Sequence, residues 1–368
     1  MTQSEHDPRH VAERRTRALA GSALGAMALV WATNAGAQEA DSSAQEQAAP
    51  AQRLDQAGTA GGPKLTFTDA RGHSVHVLPT VPMSAAVRAA AAASGALLYH
   101  SGGPIMQKIE IYNIFWVPPT LQNGTAASLP SYYAGVMNNL GKDYAGHTVS
   151  SNNTQYYQII GSKTFVSGLS LLANANESFG GSFTDTSAYP PSDCTDSVTP
   201  GNCIIDTDIQ KEVQKVITAQ GWKTGLNEIF NVYTAVGEGS CFDSTSGSCS
   251  YTQYCAYHGS IGSGSSSIVY SNEPYAAATG CQASVFPNHA DSDSAASVTS
   301  HEITESITDP NLDAWYTSGG SEIGDLCAWN YGTNAYDSGK ANQQWNGRFY
   351  EIQMMYDNHT ASCVQDGP

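Results

Sequence analysis

Hydrophobic and polar positions along the chain first organise into regular structure at residues 107–117. There Ile109, Ile111, Tyr112, Ile114, Phe115, Trp116 and Val117 crowd a short run that the Pro118-Pro119 pair ends. A β-branched and aromatic run stopped by proline predicts a strand. Residues 131–140 and 165–173 read as short helical pieces, and the Gly/Ser/Thr/Pro stretch over residues 180–201 as a long surface loop. From Asp206 the period changes. Ile209, Val213, Val216 and Ile217 recur at the spacing of one helix face, with Asp206 or Thr207 placed to cap the start and Gly221 to end it. Strand-like runs follow at residues 229–236, 251–257 and 267–271, separated by Gly/Ser-rich turns. A second helix is predicted over residues 294–308, with Asp291 and Asp293 near its positive end and Asp309-Pro310 closing it. Strands packed under two helices form an α+β layout with a mixed sheet.

The N-terminal region is patterned differently. A basic stretch at Arg9, Arg14, Arg15 and Arg17 precedes an apolar run over residues 18–32, and Ala35-Gly36-Ala37 follows. That order predicts a signal peptide over residues 1–37, cleaved after Ala37. The apolar run is shorter than the roughly 20 residues a membrane span needs, so no membrane association is expected after cleavage. Residues 38–100 are rich in Ala, Gln, Gly and Ser with little periodicity, and read as a low-complexity linker or propeptide ahead of a catalytic domain at residues 101–368. Export, to the periplasm or the medium, makes disulfides the default for eight cysteines that all follow Pro190. Local spacing pairs Cys194 with Cys203 and Cys241 with Cys249. The remaining four are expected to join as Cys255 with Cys281 and Cys327 with Cys363. A zinc ribbon would need close C-x₂-C pairs, and the sequence contains none.

Charge narrows the function classes. The formal charge is −17, and no Lys or Arg occurs between Thr224 and Gly339, while many Asp and Glu do. Nucleic acids and anionic membranes both demand clustered cations, so neither is an expected partner. Such a region repels itself unless its carboxylates are solvated or held by a bound cation.

Within it stands His301-Glu302-Ile303-Thr304-Glu305 on the second predicted helix. Residues four apart share a helix face, so His301 and Glu305 can reach one ion while Glu302 projects toward a water held there. This is the HExxH zincin pattern with the second His replaced by Glu. Zinc accepts a carboxylate oxygen and keeps a fourth position for water; Glu302 is the expected general base. After Pro310 stops the helix, Gly319-Gly320 lets the chain turn back, and Glu322 and Asp325 follow three residues apart. Glu322, with the longer arm, is the expected third ligand, and Asp325 the residue that receives the N–H of His301. The arrangement resembles the gluzincin pattern, with a slightly shorter spacing that leaves the order of the two roles open. One His and two carboxylates make a hard, anionic site, where manganese or calcium competes with zinc. His258 and His289 are more often solvated or hydrogen-bonded than ligating. Tyr251, Tyr254 and Tyr257 read as packing residues, with an oxyanion-supporting Tyr as the alternative, and no G-x-S-x-G elbow points to a serine hydrolase.

Gly102-Gly103-Pro104, the string from Ser300 to Pro310, Asn311-Leu312-Asp313-Ala314-Trp315-Tyr316 and Glu322-Ile323-Gly324-Asp325-Leu326-Cys327 resemble the EXORDIUM, or phosphate-induced protein 1, family of secreted proteins. The similarity covers roughly residues 102–365 and is most specific from His301 to Cys327. It implies secretion and the same constellation of residues. Plant members are extracellular proteins linked to cell expansion, and bacterial relatives are usually described as candidate peptidases. The long Ala-rich N-terminal region departs from the plant pattern. The expectation is an exported zinc-dependent endopeptidase of zincin-like fold acting on a peptide or protein, in a shallow cleft between an edge strand and the His301 helix. The alternative is a non-catalytic extracellular or cell-surface binding protein with a metal-stabilised fold.

Overall fold

A computed structural model describes residues 65–367 apart from 101, 170–177 and 279. The expected signal peptide and residues 38–64 of the expected linker lie outside the described residues. The described chain is a mixed α+β structure built on a seven-stranded sheet. We number its strands β1 (Thr66–Thr68), β2 (Ser74–Pro79), β3 (Glu110–Trp116), β4 (Phe179–Asp185), β5 (Glu228–Thr234), β6 (Tyr254–Ile261) and β7 (Ile268–Glu273). Their spatial order is β1-β2-β6-β7-β5-β3-β4. The pairs from β1 through β7 run antiparallel and those from β7 through β4 parallel.

Alternation along each strand divides the core in two. Ile111 and Phe115 of β3 join one apolar cluster, and Tyr112, Ile114 and Trp116 join another on the opposite face. Among the described residues, four helices of more than ten residues accompany the sheet: α1 (Val81–Ser94), α2 (Tyr133–Asp143), α3 (Asp206–Gln220) and α4 (Ala290–Thr308). The predicted stripe of α3 covers the second face with Ile209, Val213, Val216 and Ile217, and Gly221 ends the helix at φ +66°, donating to the Ile217 carbonyl. Burying each such side chain contributes roughly 1.5–3 kcal/mol.

The first face carries α4, which is buried on nearly every side. Its Ala295, Ala296, Val298, Ile303 and Ile307 meet the sheet-side core, while Ser and Thr occupy much of the remainder. Several of those hydroxyls bond back along the helix: Ser294 to Ala290 O, Ser300 to Ser297 O, Thr304 to Ser300 O. The chain after α4 is anchored where Trp315–Tyr316 pairs with Leu98–Tyr99. Nearby, Gly103 packs so closely that a Cβ would lie 2.1 Å from the Asp313 carbonyl oxygen, which requires glycine there.

All eight cysteines pair, as Cys194–Cys203, Cys241–Cys249, Cys255–Cys281 and Cys327–Cys363. Among the described residues, no helix is long and apolar enough to cross a membrane.

Several expectations are corrected. Residues 65–100 are not linker: they supply β1, β2 and α1, and β2 sits inside the main sheet between β1 and β6. The alanine run that looked like low complexity is α1, and alanine is the best helix former. Residues 165–173 are not helical where described, since Lys163–Val166 is a strand paired with Tyr157–Ile160. The expected loop over residues 180–201 begins as edge strand β4. Gly180 is an extra residue there, lying under the Tyr112 ring where a Cβ would be 2.2 Å from the ring, so the glycines mark a bulge. Helix α4 starts at Ala290, one turn earlier than expected, with Asp291 and Asp293 inside its first turn.

Candidate metal centre

Three parts of the fold converge on one buried cluster. Helix α4 presents His301, Glu302 and Glu305; the four-residue spacing sets His301 Nε2 3.0 Å from Glu305 Oε1. The sheet supplies two imidazoles. His76 of β2 and His258 of β6 are directly opposite in the antiparallel register, so both project to the helix side, with ring centroids 5.8 Å apart. The segment after α4 returns with Glu322 and, at the head of a single 3₁₀ turn (Asp325–Cys327), Asp325.

That returning segment is held from both ends. The backbone N–H groups of Gly324 and Asp325 both donate to Glu305 Oε1 at 3.1 Å, and the Glu322 N–H donates to Asp325 Oδ2 at 2.8 Å. The Cys327–Cys363 bond ties the turn to the C-terminal hairpin. Gly324 lies against the His301 ring, where a Cβ would be 2.5 Å from Cε1 and Nδ1.

Across the cluster, His76 Nε2 lies 2.7 Å from Asp325 Oδ2 and Nδ1 lies 3.3 Å from Glu322 Oε1. His258 Nδ1 is 3.1 Å from Glu302 Oε2 and 3.7 Å from Glu305 Oε2, and its Nε2 is 3.7 Å from Glu322 Oε2. All seven residues are at most 1 % exposed. Among the described residues, no Lys or Arg forms an ion pair with any of them.

Burial and neighbouring charges disturb Glu302, Glu322, His76 and His258 strongly. Loss of water, with Glu305, Glu273 and Asp325 nearby, raises the Glu302 carboxyl well above its ordinary value. Burial and the Asp309, Glu305, Asp325 and Glu302 charges do the same to Glu322. Burial alone would lower His76, but Asp325, with Glu305 and Asp309 beyond it, raises it to about 9. His258 is pushed the other way, by burial and by His76 and His301. Six of the seven residues also hold buried polar atoms with no hydrogen-bond partner: both nitrogens of His301, His258 Nε2, Glu302 Oε1, Glu305 Oε2, Glu322 Oε2 and Asp325 Oδ1. Unpaired polar atoms inside a protein are rare, because each lost bond to water costs about 1–3 kcal/mol. Imidazole nitrogens and carboxylate oxygens facing one another, with acid in excess, could hold a divalent cation.

No family model, curated protein or solved structure matches this chain. The donor set rests on its own geometry.

Of the anticipated residues, His301, Glu302, Glu305, Glu322 and Asp325 all come together. One role changes: the close partner of Asp325 is His76 at 2.7 Å, whereas His301 Nε2 stands 3.9 Å from it. Two imidazoles were missed. His76 fell in the presumed linker, although Val75-His76-Val77 between a Gly72 turn and Pro79 alternates as a strand does. His258 was set aside as ordinary. Within this cluster, among the described residues, two sets of three side chains have ligand atoms all within 4.8 Å of one another: His76, Glu305, Asp325 and His258, Glu305, Glu322. His289 belongs to the opposite end of α4, where it is the N-cap residue and stacks on Tyr132 at 3.7 Å. Tyr251, Tyr254 and Tyr257 direct their hydroxyls to Glu238 O, Ser240 and Asp206, outside the cluster.

A pocket of about 210 Å³ reaches the cluster at His76 and Glu322 and is lined also by Asp309, Tyr316 and Thr66 of edge strand β1. The Thr66 hydroxyl lies 3.2 Å from His76 Nδ1. His301 and Glu302 do not line it.

Proposed function

We propose that the chain is an exported, metal-dependent endopeptidase of zincin-like fold, a bacterial-type relative of the EXORDIUM family. The observation that carries the reading is the convergence of three imidazoles and four carboxylates, unpaired by Lys or Arg among the described residues, beside a pocket that borders an edge strand. Glu305 would hold the ion with His258 and Glu322, or with His76 and Asp325, and His301, 3.0 Å from Glu305, extends the set. Three imidazoles favour zinc more than a one-His site would, with manganese or calcium as competitors. When bound, such an ion polarises a carbonyl and brings the pKa of water toward about 7.

The chain's own groups supply the rest. Glu302 would accept and return the proton; burial and neighbouring carboxylates raise its proton affinity, and His258 Nδ1 at 3.1 Å orients its carboxylate. The outer edge of β1, which among the described residues pairs only with β2 on its other side, offers backbone groups to an extended peptide next to the pocket. A peptide or protein substrate therefore fits better than a nucleic acid, given the charge of −17. Four disulfides and the N-terminal pattern fit a secreted or periplasmic location.

The second reading is a non-catalytic extracellular binding protein whose ion only stabilises the fold. It is favoured by one fact, that Glu302 and His301 are fully buried and absent from the pocket wall. Metal analysis of the purified protein and a casein-type assay with and without chelator separate the two. For the peptidase, Glu302→Gln lowers hydrolysis on the order of a hundredfold to ten-thousandfold while metal content is unchanged. Bound metal without cleavage by the wild type selects the binding protein.

A further inference from the structure

We propose that the centre holds two divalent cations bridged by the Glu305 carboxylate. This deepens the metal-centre reading and rests on it. The two sets of mutually close ligands, His76 with Asp325 and His258 with Glu322, have Glu305 as their shared member. Its two oxygens face different ways. Oε1 turns to His301 Nε2 at 3.0 Å and to the Gly324 and Asp325 N–H groups, whereas Oε2 turns to His258, 3.7 Å away. A carboxylate placed between two donor sets bridges them when both are filled.

The vacant valences point the same way. In the His258 set, His258 Nε2, Glu305 Oε2 and Glu322 Oε2 are all buried and without a hydrogen-bond partner; in the other, Asp325 Oδ1 is. One ion at either set leaves unpaired atoms at the other. Charge balance is the second argument. Glu302, Glu305, Glu322 and Asp325 are four buried carboxylates with no Lys or Arg partner among the described residues. With all four ionised and the imidazoles neutral, a single divalent cation leaves two negative charges in a dry interior, which only a second cation or bound protons can offset. Two such cations bring the set to neutrality. The strand register contributes as well, because pairing His76 opposite His258 sets one imidazole beside each half of the site.

Paired metals widen the chemistry, since a bridged pair clamps both the attacking and the leaving group of a hydrolysis. The test is metal stoichiometry on the full chain. Protein stripped by chelator is titrated with Zn²⁺ alone, then with Mn²⁺ alone, and bound ions are counted by native mass spectrometry and elemental analysis. We expect two ions per wild-type chain, one in His76→Gln, one in His258→Gln, and loss of both or a large weakening in Glu305→Gln, with circular dichroism verifying the fold of each. One ion in the wild type overturns the binuclear site and leaves the metal-centre reading intact, the remaining charge then being held as protons. No ion in the wild type sinks the metal-centre reading itself. If the variants fail to fold, the wild-type count alone decides.

Discussion

Replacing Gly324 by alanine tests whether the returning segment is as tightly docked on α4 as its contacts indicate. Gly324 sits at φ −80° and ψ −39°, a conformation alanine adopts freely, so any penalty is steric. The added Cβ would lie 2.5 Å from His301 Cε1 and Nδ1 and 2.9 Å from Glu305 Oε1, against an ordinary contact of 3.4–4 Å. Relief requires the segment or the imidazole to shift by about 1 Å, and both are buried. A shift of the segment pulls the Gly324 and Asp325 N–H groups, now 3.1 Å from Glu305 Oε1, out of hydrogen-bond range. Bonds to a charged acceptor contribute about 1.5–3 kcal/mol each. Partial relaxation should leave a net loss of about 3–5 kcal/mol, along with weaker metal binding. The assay is denaturant unfolding followed by tryptophan fluorescence, with zinc and with chelator. Gly135→Ala in the first turn of α2 is the control: a Cβ there meets nothing within 4 Å, and the substitution should stabilise by up to about 1 kcal/mol. A Gly324→Ala midpoint equal to wild type, with metal content unchanged, would refute the docking.

Removing the Cys327–Cys363 bond by a double serine substitution opens a loop closed over 36 residues and should lower stability by about 4 kcal/mol while weakening metal binding, because the bond fixes the turn that begins at Asp325. An unaltered unfolding midpoint would show that the turn does not need the bond. Glu238 is a separate pH probe: both carboxyl oxygens are buried without a partner, and burial pushes the group up to about 8 from 4.5. A folded value above the ordinary one means its contribution is fully present below pH about 4.5 and is lost as pH rises through about 8, at about 1.4 kcal/mol per unit between. Glu238→Gln should flatten that dependence, and parallel melting curves of variant and wild type from pH 5 to 9 would contradict it.

Local physics made much of this protein readable in advance. The stripe Ile209, Val213, Val216, Ile217 with its Gly221 stop needs only one helix period to be recognised. His301, Glu302 and Glu305 share a helix by spacing alone, and Cys194–Cys203 and Cys241–Cys249 could be paired from their separations because short Gly/Ser/Pro loops leave few partners within reach. Contacts between distant segments were not readable in this way. Alanine-rich residues 81–94 have the composition of a linker and the propensity of a helix, and β1 and β2 ahead of them are strands because β6 pairs with β2. A lone strand of three or six residues has no stability of its own. His76 and His258 are 182 residues apart, and their meeting is a property of the strand register, which no local pattern encodes. The same holds for Asp325: a helical spacing pointed it at His301, but the docked segment turns it to His76, because the Glu305 carboxylate captures the Gly324 and Asp325 N–H groups first. Sequence alone thus determined which residues could ligate, through chemistry each carries wherever it sits. Tertiary structure decided which of them lie together, because a cation's ligands must converge within a few ångströms and only the packed sheet and helix bring these side chains that close.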